Sequence, residues 1–220
     1  MDTQSNYNHG IIGNGRTCAI IDCDASIVFA CMPDFDSGTV FASMLDINKG
    51  GHFGISMVDG EQVKQAYEKN TGILVTTFEG ESGSFDVIDF MPRYSWDGKS
   101  RSRGDISSDI IRVLKPRSGN PSIVVDYAPK LDYAKFVTES FLFGKGRLKS
   151  TTSGKHKDGS KAYESCYLYT DLNPESILQK ASIPLTEQSY LLLSYHDKVI
   201  APDRDKIELK LQWTRAYWLL

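Results

Sequence analysis

Along most of its length the chain alternates short apolar runs with polar turns. Runs rich in Ile, Val, Phe, Tyr and Thr cover 17–22, 26–32, 71–79, 84–91, 109–115, 122–127, 135–143, 147–152, 162–169, 176–183 and 188–195. Runs of this length and type, bounded by turn residues, predict strands. Gly80, Glu81, Ser82 and Gly83 predict the loop of a hairpin between two of them. In 84–91, Phe85, Val87, Asp89 and Met91 share one face while Ile88 and Phe90 share the other. Apolar residues on both faces predict a strand covered on both sides.

Only two stretches carry helical spacing. Residues 37–45 set Phe41, Met44 and Leu45 on one side, with Ser37 as the N-cap. Residues 203–220 begin after Pro202, with Asp203 placed to cap the first amides. There Ile207, Leu211 and Trp218 form a stripe, with Leu209, Trp213 and Leu220 close beside it. The stripe reaches Leu220 with no Gly and no cap, the pattern of a cut chain or a docking segment. Many strands with almost no interleaved helix predict an all-β antiparallel sandwich. The expected organisation is one β-sandwich domain over 1–202, a short helix near 37–45, and a helix starting at 203. No internal repeat and no Pro-, Gly- or Ser-rich linker divides it further.

Composition narrows the function. At 220 residues the chain is long enough to bury about 72% of its unfolded surface. With 40% hydrophobic and 24% charged residues it is not a disordered chain. A net charge of −3 argues against a nucleic-acid binder, which needs a basic face. No stretch is long and apolar enough for a membrane span. The polar start MDTQSNYNHG carries no secretory signal, so a cytoplasmic location is expected. Cys18, Cys23, Cys31 and Cys166 form no C-x-x-C pair, which removes zinc-ribbon and thioredoxin readings. They are expected to be small apolar residues in a reducing compartment.

The candidate chemistry is sparse. Gly13, Asn14 and Gly15 precede a strand and lack a third glycine, so a tight turn fits better than a dinucleotide site. Asp34 and Asp36 flank Phe35; in extended chain both carboxylates point one way, where they can do acid–base work or bind a cation. The competing account has Asp36 and Ser37 capping the short helix. None of His9, His52, His156 and His196 has the spacing of a helical metal pair. His196, beside Asp197, is the candidate general base, with Glu187 or Glu208 as partner in a mutarotase-like site. The cationic stretch 145–161 reads as a solvated hairpin tip. Arg103, Gly104 and Asp105 match an adhesion tripeptide only by coincidence in a chain without an export signal. No nucleophile elbow, phosphate loop, metal site or cofactor site is present.

Five blocks in order carry a resemblance: GIIGNGRTCAIID (10–22), CMPDFDSGTVFASMLD (31–46), GGHF (50–53), YEKNTGILVTTF (67–78) and DVIDFMP (86–92). This series resembles the N-terminal domain of glycoside hydrolase family 15 proteins: glucoamylases, glucodextranases and related trehalases. The resemblance implies a β-supersandwich that precedes a separate (α/α)6 catalytic toroid. The family hydrolyses α-glucosides with inversion, which needs two carboxyls about 6.5–9.5 Å apart. Both of those glutamates belong to the toroid, so no catalytic residue carries over to this chain. The tail from Leu211 to Trp218 looks like the start of the linker helix into the toroid. Relatives usually read D-G-S-I-D-W-x-C-x-P-R-F-D-S where this chain reads DASIVFACMPDFDS. Ala25 thus replaces Gly, Val28 and Phe29 replace Asp-Trp, and Asp34 replaces Arg.

Two classes of function follow. In the first, the chain supports and orients the toroid, with Arg16, Asp34, Phe35, Asp36 and Ser37 near the domain interface or the sugar. Ile207, Leu211, Trp213, Trp218 and Leu220 then form the docking helix. The partner is the (α/α)6 domain or a second polypeptide, the α-glucoside is met only indirectly, and the apolar helix predicts self-association of the isolated chain. In the second, a stand-alone sandwich binds carbohydrate on exposed aromatics.

Overall fold

The computed structural model describes residues 8–93, 107–155, 158–195 and 202–220. Its core is two antiparallel sheets packed face to face. The first has seven strands: β1 (Gly10–Gly13), β2 (Cys18–Ile21), β3 (Ile27–Cys31), β5 (His52–Met57), β10 (Ser122–Ala128) and β14 (Ile183–Pro184) in spatial order, with β4 (Thr39–Phe41) also paired to β3. The second has eight: β11 (Thr138–Leu142), β12 (Arg147–Lys155), β13 (Lys161–Thr170), β15 (Ser189–Tyr195), β9 (Ile110–Gly119), β8 (Gly83–Phe90), β7 (Leu74–Gly80) and β6 (Gly60–Tyr67).

The predicted hairpin forms, with Gly80 opposite Gly83. β8 is covered on both faces as its pattern required. Phe85, Val87 and Met91 enter the core between the sheets, with Ile12, Phe53 and Leu193. Ile88 and Phe90 point to the outer side, where α2 (Arg204–Trp218) covers them. Asp203 caps α2 as expected, its side chain accepting from the Lys206 amide at 2.8 Å. The helix buries Ile207, Leu211 and Thr214, the i, i+4, i+7 face, against Ile73, Ile88, Phe90, Ile111 and Leu192. Trp218 lies over β7's start, where a Cβ on Gly72 would meet its ring at 2.6 Å.

Two expectations fail. Residues 37–45 form no helix. Thr39, Val40 and Phe41 are β-branched or aromatic, fully buried, and pair with β3. The following turn closes on Gly50, with the Ala42 amide donating to the Gly50 carbonyl at 2.7 Å. Any Cβ at Gly50 would lie 2.1 Å from Ala42 backbone, so glycine permits this approach. Residues 176–183 do not form one strand. Asn173 caps a short helix, α1 (Pro174–Leu178), through a 2.9 Å bond from the Glu175 amide, and only Ile183 and Pro184 pair. Ala25 has φ 58°, in the left-handed region that favours glycine.

The two sheets are also joined through the core. Arg112 on β9 and Asp89 on β8 form an ion pair of 2.7 Å with neither side chain exposed. The same guanidinium donates to the Phe53 carbonyl at 2.6 Å and to the Ala25 carbonyl, both in the facing layer. Burial pushes the Asp89 carboxyl up from its usual range, and Arg112 offsets part of that rise.

Candidate functional site

The loops at one end of the sandwich gather the residues the sequence singled out. Arg16 sits in the β1–β2 turn, where Gly15 has φ 81° and the tight-turn reading holds. Asn14 organises that turn: its Oδ1 accepts from the Arg16 amide at 2.9 Å and the Thr17 amide at 3.0 Å. Its Nδ2 donates to the Ser107 carbonyl at 2.8 Å.

Asp34 belongs to the β3–β4 turn and pairs bidentately with Arg16: Nε to Oδ1 at 2.6 Å and Nη2 to Oδ2 at 3.2 Å. The turn is closed by the Ser37 amide donating to the Asp34 carbonyl at 3.1 Å, and by the Asp34 amide donating to Ser37 Oγ at 3.1 Å. The backbone is therefore not extended here, and the expected same-side pair of Asp34 and Asp36 does not form. Asp34 is engaged by Arg16, while Asp36 is exposed and Phe35 is 57% exposed. The Asp34 carboxylate has its counter-charge within this chain.

Arg93, which sequence reasoning did not single out, ties this end to α2. Its Nη1 donates to the Asn14 carbonyl, and its Nη2 to Tyr217 Oη. Its guanidinium lies 4.2 Å from the centre of the Tyr217 ring, and its amide donates to Thr214 Oγ1 at 3.1 Å. Beside it, Arg215 pairs with Glu68 at 2.7 Å. The expected docking helix is thus divided. Ile207 and Leu211 are 1% exposed and packed on the sandwich, whereas Trp213, Trp218 and Leu220 are 48%, 38% and 93% exposed.

Backbone strain sits at the same end. Asp132, Tyr133 and Ala134 have φ 50°, 56° and 53°, three successive non-glycine residues in the left-handed region. They pack on the turn after Asp34: a Cβ on Gly38 would meet Asp132 Oδ1 at 2.9 Å, and the Tyr133 amide donates to Thr39 Oγ1 at 3.1 Å.

The remaining candidates are dispersed. His52 pairs with Asp126 at 3.2 Å, and Lys180 with the same carboxylate at 2.8 Å. Glu187 pairs with Arg204, and Glu208 contacts Gln188 and Gln212. His156, His196 and the 103–105 tripeptide lie outside the described residues. Among the described residues no group of three His, Cys, Asp or Glu stands close enough to hold a metal ion. No described helix is long and apolar enough to cross a membrane.

The arrangement is that of a β-sandwich with an anchored helix and a strained, half-apolar end. The trehalase-like N-terminal domain family matches residues 3–149, and the chain belongs to that family. The match carries the likeness past the five sequence blocks and through β11 into β12. A trehalase from Thermoplasma volcanium is 35% identical over 132 residues, which are 58% of this chain and 20% of that protein. The matched part thus corresponds to about a fifth of that relative. No solved structure matches.

Proposed function

We propose that this chain is the N-terminal sandwich of an inverting exo-glycosidase of the glucoamylase, glucodextranase and trehalase type. Its role is to support and orient an (α/α)6 catalytic domain, carried elsewhere in the polypeptide or by a second one. The α-glucoside is met only through that domain. The observation that carries this reading is the Arg93 clasp. It fixes the last turn of α2 to the end holding Arg16 and Asp34, while Trp213 and Leu220 stay exposed. An apolar patch next to a rigid, charge-balanced loop cluster suits a permanent domain contact. At that end the Asp34 carboxylate is engaged by Arg16. Cys18, Cys23, Cys31 and Cys166 are all free thiols, which supports a cytoplasmic setting.

The test is to assay the catalytic polypeptide with this domain attached and with it deleted. Glucose release and the half-life at raised temperature should both fall sharply on deletion. Equal activity and equal heat stability without the sandwich would refute the supporting role.

A further inference from the structure

At the far end of α2 from the Arg93 clasp lies a cleft of about 600 Å³. Pro202, just before the helix, forms one side, and the ten to thirteen helical residues between it and Thr214 and Tyr217 set it about 15–20 Å from the clasp. Its apolar walls include Tyr169, Leu172, Tyr190 and Pro202. Lys145 and Arg147, at the β11–β12 turn, complete the lining.

That turn is built around two left-handed glycines, Gly144 (φ 80°) and Gly146 (φ 66°). A Cβ at Gly144 would lie 2.8 Å from Arg147 Nη2, and one at Gly146 would lie 2.8 Å from the Thr170 carbonyl. Both glycines let the turn fold tightly against β13 and leave room for the guanidinium. The guanidinium is held over aromatic faces, 5.4 Å from the Phe143 ring centre and 5.9 Å from that of Tyr169. Among the described residues neither Lys145 nor Arg147 has a carboxylate in ion-pair range. Among the described lining residues the one carboxylate, Asp171, is engaged by Arg204 and by the Tyr190 amide at 3.0 Å. Among the described residues the cleft therefore holds an excess of positive charge beside tyrosine and proline surfaces.

We infer that this cleft binds a phosphorylated sugar, remote from the domain contact. Arg147 and Lys145 take the phosphate, for which a fork of guanidinium donors and a mobile ammonium suit the geometry. The tyrosine and proline walls take the ring, and Asp171 stands beside its hydroxyls. The phosphate half of this inference rests on the cleft alone. The sugar half rests on the glycosidase-type reading, but binding is measured on this chain without any catalytic partner.

Amide chemical shifts of the 220-residue chain are followed in titrations with glucose 6-phosphate, glucose and inorganic phosphate. Glucose 6-phosphate is expected to move Lys145, Gly146, Arg147 and Asp171 saturably below about 10 mM, and each single component to bind at least about tenfold more weakly. Arg147→Met keeps the stem over the rings and should weaken binding at least about tenfold. Lys145→Ala, at an exposed tip where folding is not at risk, should weaken it too. No saturable shift, undiminished binding in both variants, or inorganic phosphate binding as tightly as the sugar phosphate would each overturn the inference.

Discussion

Arg112, on the second sheet, hydrogen-bonds the backbone carbonyl of Ala25, and Ala25 offers that carbonyl from a left-handed backbone at φ 58°. The Asp22–Ser26 turn thus serves the inter-sheet joint, and its shape must be kept although the residue is not glycine. Relief of left-handed strain by Ala25→Gly is worth about 1–2 kcal/mol. Loss of a buried methyl costs about 0.8 kcal/mol, and glycine's freedom in the unfolded chain up to about 1 kcal/mol more. The two sides nearly cancel. Urea denaturation should place Ala25→Gly within about 0.5 kcal/mol of the parent, whereas Ala25→Val, β-branched at positive φ, should lose about 2–3 kcal/mol.

The joint itself is predicted to be costly to break. Arg112→Met leaves Asp89 buried without its partner and should destabilise by about 3–5 kcal/mol. Adding Asp89→Leu removes the unpaired charge and should restore part of the loss. The carbonyls of Ala25 and Phe53 stay unsatisfied at about 1–3 kcal/mol each, so the double variant remains below the parent. A double variant as stable as the parent would show that the guanidinium does not bridge the sheets.

The exposed part of α2 should make the isolated chain self-associate. Sedimentation velocity is expected to show a mass that grows with concentration. Trp213→Glu combined with Leu220→Glu should return it to a monomer without unfolding α2, because Ile207 and Leu211 make the contact with the sandwich. A concentration-independent monomer in the parent would argue against an apolar docking face.

Asp126 sets an acid-side dependence. Burial works to raise its carboxyl, but hydrogen bonds from Lys180 and His52 outweigh it and hold it below the usual range. A carboxylate depressed in the folded state contributes stability above its unfolded value near 3.9, and loses it as pH falls through the lower folded value. The parent should exceed Asp126→Asn by about 1 kcal/mol or less at pH 7, since a third of the side chain is exposed. That gap should close between about pH 4 and pH 2. A gap that persists at pH 2 would assign it to packing.

Where side-chain alternation reported burial, the strands were legible: β2, β3, β7, β8, β10, β12, β13 and β15 all lie within or close to runs read from pattern. β6 was not, because Gly60–Tyr67 is an edge strand exposed along nearly its whole length. Residues 37–45 misled because Phe41, Met44 and Leu45 match helical spacing, while the deciding contact, Ala42 against Gly50, is set by a turn and not by periodicity. At 173–178 the signal was present, an Asn cap followed by Pro at the first helical position, but the apolar run after it read as strand. Asp34 was marked by the Asp-Phe-Asp spacing and Arg16 by the family resemblance, and neither signal showed that the two pair. Arg93, Asp89 and Arg112 could not be singled out, since their partners lie far away in sequence and isolated charges in strands look like solvated ones.

The most direct test of the supporting role is the size and activity of the native protein, captured by antibody from its source cells. The account predicts a polypeptide well above 24.6 kDa, or this chain together with a second polypeptide, and glucose release from an α-glucoside by the captured material. A lone 24.6 kDa chain that releases no glucose would contradict it.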